Sequence, residues 1–272
     1  MRRIAVVSHK GGQSKTTSVV NIAACLAGQG RAVLVVDADT QNNATYLLLR
    51  GAAPRRPSLS EILSGDATAD EAIVASRFEG VDVIPSDPSL ADVNVALAGE
   101  PGRERRLRSA LAEMGRRYDF VIVDTGPTRS LLTTNVLNAV GEVLVPLAPG
   151  VFGFLGFVQL EADMAMVRKF LENKALRLTG VFLVQMERTT VCRDFEREIR
   201  ETLGDRVLAT TVPRAVKFEE ANARQRSIFE HAPRSAGAVA YENLTREVLD
   251  RGHGKDARNV PPDRPLPIDD AA

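Results

Sequence analysis

Tryptophan is absent from the 272-residue chain, and aromatic residues make up only 5% of it. A platform of aromatic rings on which nucleobases could stack is therefore not expected. Cysteine is scarce: Cys25 and Cys192 stand far apart, without histidine or cysteine neighbours at ligand spacing. That argues against a disulfide scaffold and a zinc site, and fits a reducing cytoplasm. No sign of charge is in excess, since 35 Lys+Arg balance 35 Asp+Glu. A generally basic coat for nucleic acid is excluded, and any such contact has to come from a local patch. Long apolar runs are missing as well. Proline, glycine or charge interrupts each one, so no segment is expected to span a membrane. The opening run, Ile4 to Val7, is too short for the core of a secretion signal.

What remains is an ordinary globular composition, 44% hydrophobic and 26% charged, which argues against global disorder. Ile4 to Val7 reads as a buried strand, because it is a short continuous apolar run. A glycine-containing loop follows, then a helix from Lys15 to Ala27, with Val19, Ile22, Ala23 and Leu26 at helical spacing. Gly28 and Gly30 end it. Ala32 to Val36 is a second apolar run, ending at Asp37. Strand, loop, helix and strand make a βαβ unit, which implies a parallel sheet.

The alternation continues along the chain. Strands are expected at Val81 to Ile84, Phe120 to Val123, Val143 to Leu147, Gly180 to Val184 and Val207 to Val212. Helices are expected at Arg103 to Arg117, with Leu107, Leu111 and Met114 on one face, and at Leu160 to Leu171 and Arg193 to Leu203. The reading is a single α/β domain over roughly residues 1–250, doubly wound on a mostly parallel sheet. Residues 251–272 carry Pro261, Pro262, Pro265 and Pro267 and few large apolar groups. A disordered Pro-rich tail is expected there, and the prolines forbid an amphipathic helix.

The sharpest signal is Lys10-Gly11-Gly12-Gln13-Ser14-Lys15-Thr16-Thr17. It follows a strand and opens a helix, the context in which such a loop cradles phosphate. Successive backbone N–H groups and the helix N-terminus make a concave anion site, and glycines let the main chain approach closely. Lys15 is expected to neutralise the β- and γ-phosphates, and the Thr16 hydroxyl to ligate Mg²⁺. The structural alternative is a glycine turn with two solvated lysines. The common pattern G-x-x-x-x-G-K-[ST] is not met, since His9 and Ser14 stand at its glycine positions.

The sequence resembles instead the deviant Walker A motif of ParA- and MinD-type ATPases, K-G-G-x-G-K-[ST]-[ST], a branch of the P-loop NTPases. The resemblance implies that Lys10 reaches across an ATP-sandwiched homodimer to the partner's phosphates. Ser14 departs from the family's glycine. Its Cβ could crowd the phosphate and slow hydrolysis, or Ser14 could serve as an N-cap and donate its hydroxyl to phosphate. Asp37-Ala38-Asp39-Thr40-Gln41-Asn42-Asn43-Ala44-Thr45 looks like the family's D-x-D-P-Q-x-N-A-T segment. By that likeness Asp39 orients the attacking water and Asp37 supports the Mg²⁺ shell. Tyr118 to Pro127 resembles the Walker B element, with Asp124 on the Mg²⁺ side. Val212-Pro213-Arg214 and Gly237-Ala238-Val239-Ala240-Tyr241 extend the match over roughly residues 3–250. From it, Gln185, Met186, Pro213 and Arg214 fall near the adenine pocket, while residues 150–159 match poorly and supply no site.

What the resemblance implies is a cytoplasmic, nucleoid-associated Mg²⁺-dependent ATPase of the short, Soj-like type. It would dimerise on ATP, bind double-stranded DNA non-specifically, and partition a chromosome or plasmid with a ParB-like partner that stimulates hydrolysis. Arg188, Arg193, Lys217 and Arg224 are the DNA-contact candidates, with Arg214 and Arg226 beside them. Glu187, Asp194, Glu196, Glu219 and Glu220 lie among them, so a solvated mixed-charge face is the competing reading. A MinD-like membrane switch needs a C-terminal amphipathic helix, which the tail lacks. An iron-protein reductase needs paired cysteines near the Walker B side, which neither cysteine supplies. A hydrolysis-impaired ATP-binding adaptor is a further alternative, motivated by Gln13 and Ser14.

Overall fold

The computed structural model describes residues 1–52, 56–114 and 117–252. The apolar runs become strands β1 (Arg2–Val6), β2 (Val33–Ala38), β3 (Val74–Ala75), β4 (Val81–Ile84), β5 (Phe120–Thr125), β6 (Glu142–Leu147), β7 (Arg177–Met186) and β8 (Val207–Pro213). They form one sheet in the order β3-β4-β2-β5-β1-β6-β7-β8. Every pairing is parallel except that of β3 with β4. The chain leaves β1 toward one side of the sheet and leaves β6 toward the other. The crevice outside the carboxyl ends of β1, β5 and β6 is therefore the ligand position of a doubly wound sheet.

The strands read as continuous apolar runs because both sheet faces are covered. Ala5, Leu34, Val36, Val121, Val123, Val145 and Leu183 point to one face. There they meet Leu107 and Leu111 of the helix Arg106–Glu113, Val136 of Leu131–Ala139, and Leu160 and Met164 of Val151–Phe170. Ile4, Val6, Val33, Val35, Ile122, Leu144 and Phe182 point to the other, against Val19, Ile22 and Leu26 of the helix Lys15–Gly28 and Tyr241 and Leu244 of Ala236–Gly252. The two sets alternate along each strand, as the pleat requires.

Three local expectations change. The charged helix is shorter than Arg103 to Arg117. Arg103–Arg105 is a tight 3₁₀ turn entered through Gly102 at φ 70°, and the α-helix runs Arg106–Glu113. Neither N-cap residue caps its own start, so the first turn tightens to satisfy its own backbone, and Asn135 Oδ1 accepts from the Leu107 N–H at 3.2 Å. Leu107, Leu111 and Met114 are buried as the spacing predicts. The helix expected from Leu160 begins at Val151, and it includes Gly153 and Gly156, low-propensity residues whose packing is described below. The final helix continues through Arg251 and Gly252, where Arg251 donates to the carbonyls of Thr179 and Val207, both at 3.2 Å. The rest of the expected tail, 253–272, lies outside the described residues.

Two polar clusters secure the sheet away from the crevice. At the amino end of β6, the Glu142 carboxylate accepts two bonds from Arg2, both at 2.8 Å, and one from Thr179 at 2.9 Å. Arg177 stands 3.3 Å away. These cations and the hydroxyl hold the Glu142 carboxyl below its ordinary pKa despite burial, which pushes it the other way. Along β8, Glu247 accepts from the backbone N–H groups of Ala209 and Thr210, at 2.6 and 3.0 Å. Among the described residues no helix is long and apolar enough to cross a membrane.

Candidate functional site

Between β1 and the helix Lys15–Gly28 the backbone turns twice into the left-handed region, at Gly12 (φ 74°) and at Ser14 (φ 54°, ψ 27°). Glycine reaches that region freely, whereas a residue with a Cβ meets its own carbonyl there. Such turns bring consecutive N–H groups to one concave side. Ser14 occupies the N-cap position, but its hydroxyl caps nothing. That corrects the N-cap expectation: left-handed backbone aims the side chain away from the amides it would have to reach. Its carbonyl accepts from the Ser18 N–H at 2.9 Å and the Ser18 hydroxyl at 2.7 Å, which starts the helix.

Register brings the carboxylates together. Asp124 of β5 lies beside Val6 of β1 and beside Asp37 of β2. Both aspartates are fully buried, Asp39 is 6% exposed and Lys15 7%. Thr16 donates its hydroxyl to Asp124 Oδ2 at 2.7 Å. Asp37 Oδ2 accepts from both the N–H and the hydroxyl of Thr45 at 2.7 Å, and its Oδ1 from the Asp39 N–H at 3.1 Å. Asp39 Oδ1 accepts from the Gln41 N–H at 3.0 Å, and a Cβ on Gly126 would approach that oxygen to 3.3 Å. Gly126 therefore leaves Asp39 room at the mouth of the crevice.

Burial pushes the Asp124 carboxyl up to about 8, aided by the charges of Asp37 and Asp39 and opposed by Thr16 and Lys15. Burial likewise pushes Asp37 up to about 6, against its hydrogen bonds. Lys15 is lowered by burial, while Asp124 and Asp39 pull it back. Buried carboxylates crowded this closely, with one hydroxyl among them, are an oxygen donor set that a divalent cation would relieve. Thr16, Asp37 and Asp124 fit Mg²⁺ by that chemistry. Among the described residues no three His, Cys, Asp or Glu are arranged to hold a metal. Mg²⁺ would thus keep waters or take ligand oxygens, as it usually does.

The remaining candidates divide. Gln185 reaches the loop itself, donating from Nε2 to the Gly12 carbonyl at 2.6 Å and to Ser14 Oγ at 3.0 Å. Met186 and Pro213 line a cavity of about 350 Å³ with Arg188 and Arg193 on its wall. Arg214 ties the two strand ends, its N–H donating to the Met186 carbonyl and its guanidinium to Glu187, both at 3.0 Å. Thr17 accepts from Asn222 at 3.4 Å. Lys10 and Gly11 sit in the loop, Lys10 half-buried with its N–H directed to Ser8 Oγ at 3.4 Å. Of the cationic candidates, Lys217 pairs with Glu220 at 2.8 Å and Arg224 contacts His231 at 3.2 Å. Lys217 and His231 together hold Glu220 down to about 2. Arg188 and Arg193 are exposed and line that cavity beside Glu187 and Glu196, so the face they make is of mixed charge.

Several contacts at the site carry no sequence signal, although Gln13 and His9 themselves lie in or beside the loop motif. Gln13 is buried, 2% exposed, and its Oε1 accepts from the Ala148 N–H at 2.6 Å, tying the loop to the end of β6. His9 hydrogen-bonds through Nε2 to Asp163 Oδ2 at 2.9 Å, and Arg129 grips the same carboxylate from the loop after β5. The poorly matching stretch 150–159 is the surface these residues pack on. A Cβ on Gly156 would lie 3.7 Å from His9 Cβ, and one on Gly153 3.6 Å from Gln13 Oε1. The two glycines three apart were the available clue to a close approach.

Residues 1–178 match the family described as an AAA domain. The chain is 37% identical over 250 residues to the sporulation initiation inhibitor protein Soj of Bacillus subtilis, covering 92% of this chain and 98% of that protein. It is 34% identical over 261 residues to the chromosome partitioning protein ParA of Caulobacter vibrioides, covering 95% and 97%. Among solved structures it resembles a cobyrinic acid a,c-diamide synthase from Mycobacterium smegmatis, solved with a bound ATP analogue and magnesium. That likeness has a TM-score of 0.80 at 33% identity and covers 97% of this chain and 100% of the other.

Proposed function

The chain belongs to the Soj/ParA family of chromosome-partitioning ATPases, and from that premise we propose that it is an ATP-driven dimerisation switch that moves DNA. The observation that carries the reading is the buried set of Lys15, Thr16 and Asp124 beneath a loop of left-handed turns. A triphosphate would bring its negative charge to buried Lys15, which Asp124 and Asp39 already attract, and the loop amides would receive the phosphate oxygens. Held by Thr16 and Asp124, with Asp37 behind them, Mg²⁺ would neutralise phosphate oxygens as charge develops on them.

In this reading the chain's own groups do the positioning. Lys15 and the amides of Gly11 to Thr17 fix the phosphates. Asp39, at the crevice mouth, orients the attacking water. Gln185, Met186, Pro213 and Arg214 surround the base. Lys10 closes the site of a second copy, and this contact exists only with the triphosphate, which is the differential interaction a switch requires. The dimer binds duplex DNA non-specifically through Arg188, Arg193, Lys217 and Arg224. A ParB-like protein bound to DNA stimulates hydrolysis and releases it. The working location is the cytoplasm, on the nucleoid. A second reading is favoured by Ser14: an adaptor that binds ATP and partners but hydrolyses nothing.

Titration with a fluorescent ATP analogue and Mg²⁺ tests the premise, and failure to saturate at millimolar nucleotide overturns it. Lys10→Ala should abolish ATP-dependent self-association seen by light scattering while leaving nucleotide binding in place. Binding to arbitrary duplex should require ATP and fall steeply with salt. Phosphate release measured with DNA and the ParB-like partner separates the switch from the adaptor.

A further inference from the structure

The loop is anchored from two strand ends, and one anchor answers the feature that makes this loop unusual. Ser14 sits at φ 54°, where a Cβ is sterically costly. Gln185 stands at the end of β7, itself at φ 57°, and its single amide nitrogen donates both to Ser14 Oγ and to the Gly12 carbonyl. A trans peptide points its C=O and N–H in opposite directions. Drawing the Gly12 carbonyl toward Gln185 therefore turns the Gln13 N–H the other way. On the far side, the Gln13 side chain is fixed to the Ala148 N–H at 2.6 Å. Gly12 has no Cβ to resist a peptide flip, so the orientation of this amide depends on what holds the carbonyl.

We propose that Gln185 is a positioning residue that holds the phosphate loop in its anion-ready shape by stabilising Ser14 in a conformation that glycine would adopt unaided. The proposal rests on the loop being the nucleotide site, and it assigns Gln185 a role separate from any contact with the base. Ser14 and Gln185 then act as one unit. Removing the Gln185 donor frees both Ser14 and the Gly12–Gln13 peptide. With glycine at position 14 the same removal costs less, because the left-handed turn no longer needs support.

The test is a double-mutant cycle on S14G, Q185A and the double variant, titrated with a fluorescent ATP analogue and Mg²⁺, with inorganic tripolyphosphate as competitor. Q185A should weaken ATP binding about tenfold beside Ser14 and no more than about threefold beside Gly, a coupling of the size that contacting residues show. Tripolyphosphate, which has no base, should lose the same factor. Equal losses in both backgrounds overturn the proposal, as does a loss for ATP with none for tripolyphosphate, which would make Gln185 a base contact. If the unaltered protein binds neither ligand, the nucleotide reading itself falls and takes the proposal with it. If Q185A does not fold, Gln185→Met keeps the bulk without the donor and is held to the same outcomes.

Discussion

His9 Nε2 lies 2.9 Å from Asp163 Oδ2, and this contact fastens the start of the phosphate loop to the helix Val151–Phe170. The His9 side chain is 5% exposed and that of Asp163 13%. Arg129 donates to both oxygens of the same carboxylate, sharing Oδ2 with His9. With Nε2–H donated to Asp163, Nδ1 is buried without a hydrogen-bond partner among the described residues. Burial lowers the His9 pKa, with Arg129 and Lys15 acting in the same direction and Asp163 against it. The imidazole is therefore held neutral near pH 7.

The first prediction concerns that neutrality. Below the ordinary imidazole value of 6.5, the unfolded chain takes up a proton before the folded one does. The stability due to neutral His9 is present above that value and is lost as pH falls toward the lower folded pKa. Melting temperature measured across this window should decline more steeply for the unaltered protein than for His9→Gln. Asp163→Asn should destabilise by about 1–3 kcal/mol in denaturant unfolding, the worth of a hydrogen bond to a charged group. Parallel pH profiles for the two proteins would contradict the first expectation.

A second prediction sets stability against function at Asp124. Its carboxyl is pushed up to about 8, so the folded state resists ionisation that the unfolded state allows. Asp124→Asn removes this conflict and retains an oxygen for the Thr16 hydroxyl. The ligand-free protein should gain on the order of 2 kcal/mol at neutral pH. Nucleotide binding should at the same time lose its dependence on Mg²⁺. A destabilised variant with intact Mg²⁺ dependence would be the wrong outcome on both counts.

Glu142, at the opposite end of the sheet, supplies the third. Arg2, Arg177 and Thr179 keep its carboxyl below the usual value of 4.5. The stabilisation is present above that value and is lost as pH falls through the lower folded pKa. Glu142→Gln should therefore cost about 1–3 kcal/mol at pH 7 and progressively less in acid, with nucleotide affinity unchanged. Chemical denaturation at several pH values measures the difference.

The two glycines under the loop give a paired fourth prediction. An alanine Cβ at Gly156 would meet His9 Cβ at an ordinary 3.7 Å, so Gly156→Ala should be neutral or gain up to about 1 kcal/mol of helix propensity. At Gly153 the same Cβ would lie 3.2 Å from Leu147 Cδ1 and 3.3 Å from the Ala148 carbonyl oxygen. Since Gln13 is bonded to the Ala148 N–H, Gly153→Ala should destabilise by about 1–3 kcal/mol and weaken nucleotide binding as well. Equal melting temperatures for the two variants would count against this account of the packing.

Those relationships differ in how far the sequence reveals them. β1, β2 and β5 announce themselves because both of their faces are covered, which leaves unbroken apolar runs ending in Asp37 and Asp124. The loop is equally plain, since Gly-Gly and Lys-Thr-Thr at a strand–helix junction have few other uses. Asp163 is not legible: it meets His9 across 154 residues and Arg129 across 34, and such pairings leave no periodicity. Gln13 occupies a position where the motif specifies no residue type. β3, with two residues, is too short for alternation to register. The glycines of Val151–Phe170 hide its first turns because their packing reason lies on another segment.

Glu247 occupying two amides of β8, and β3 offering only two residues at the opposite margin, leave the sheet little to extend itself with. Lateral strand addition, a route by which exposed sheet edges aggregate, is hindered at both edges. Copies of this chain that meet are thereby steered toward side chains and loops, contacts that separate without unzipping a backbone ladder. The proposed switch, which would have to associate and part repeatedly, is well served by borders that resist fusing.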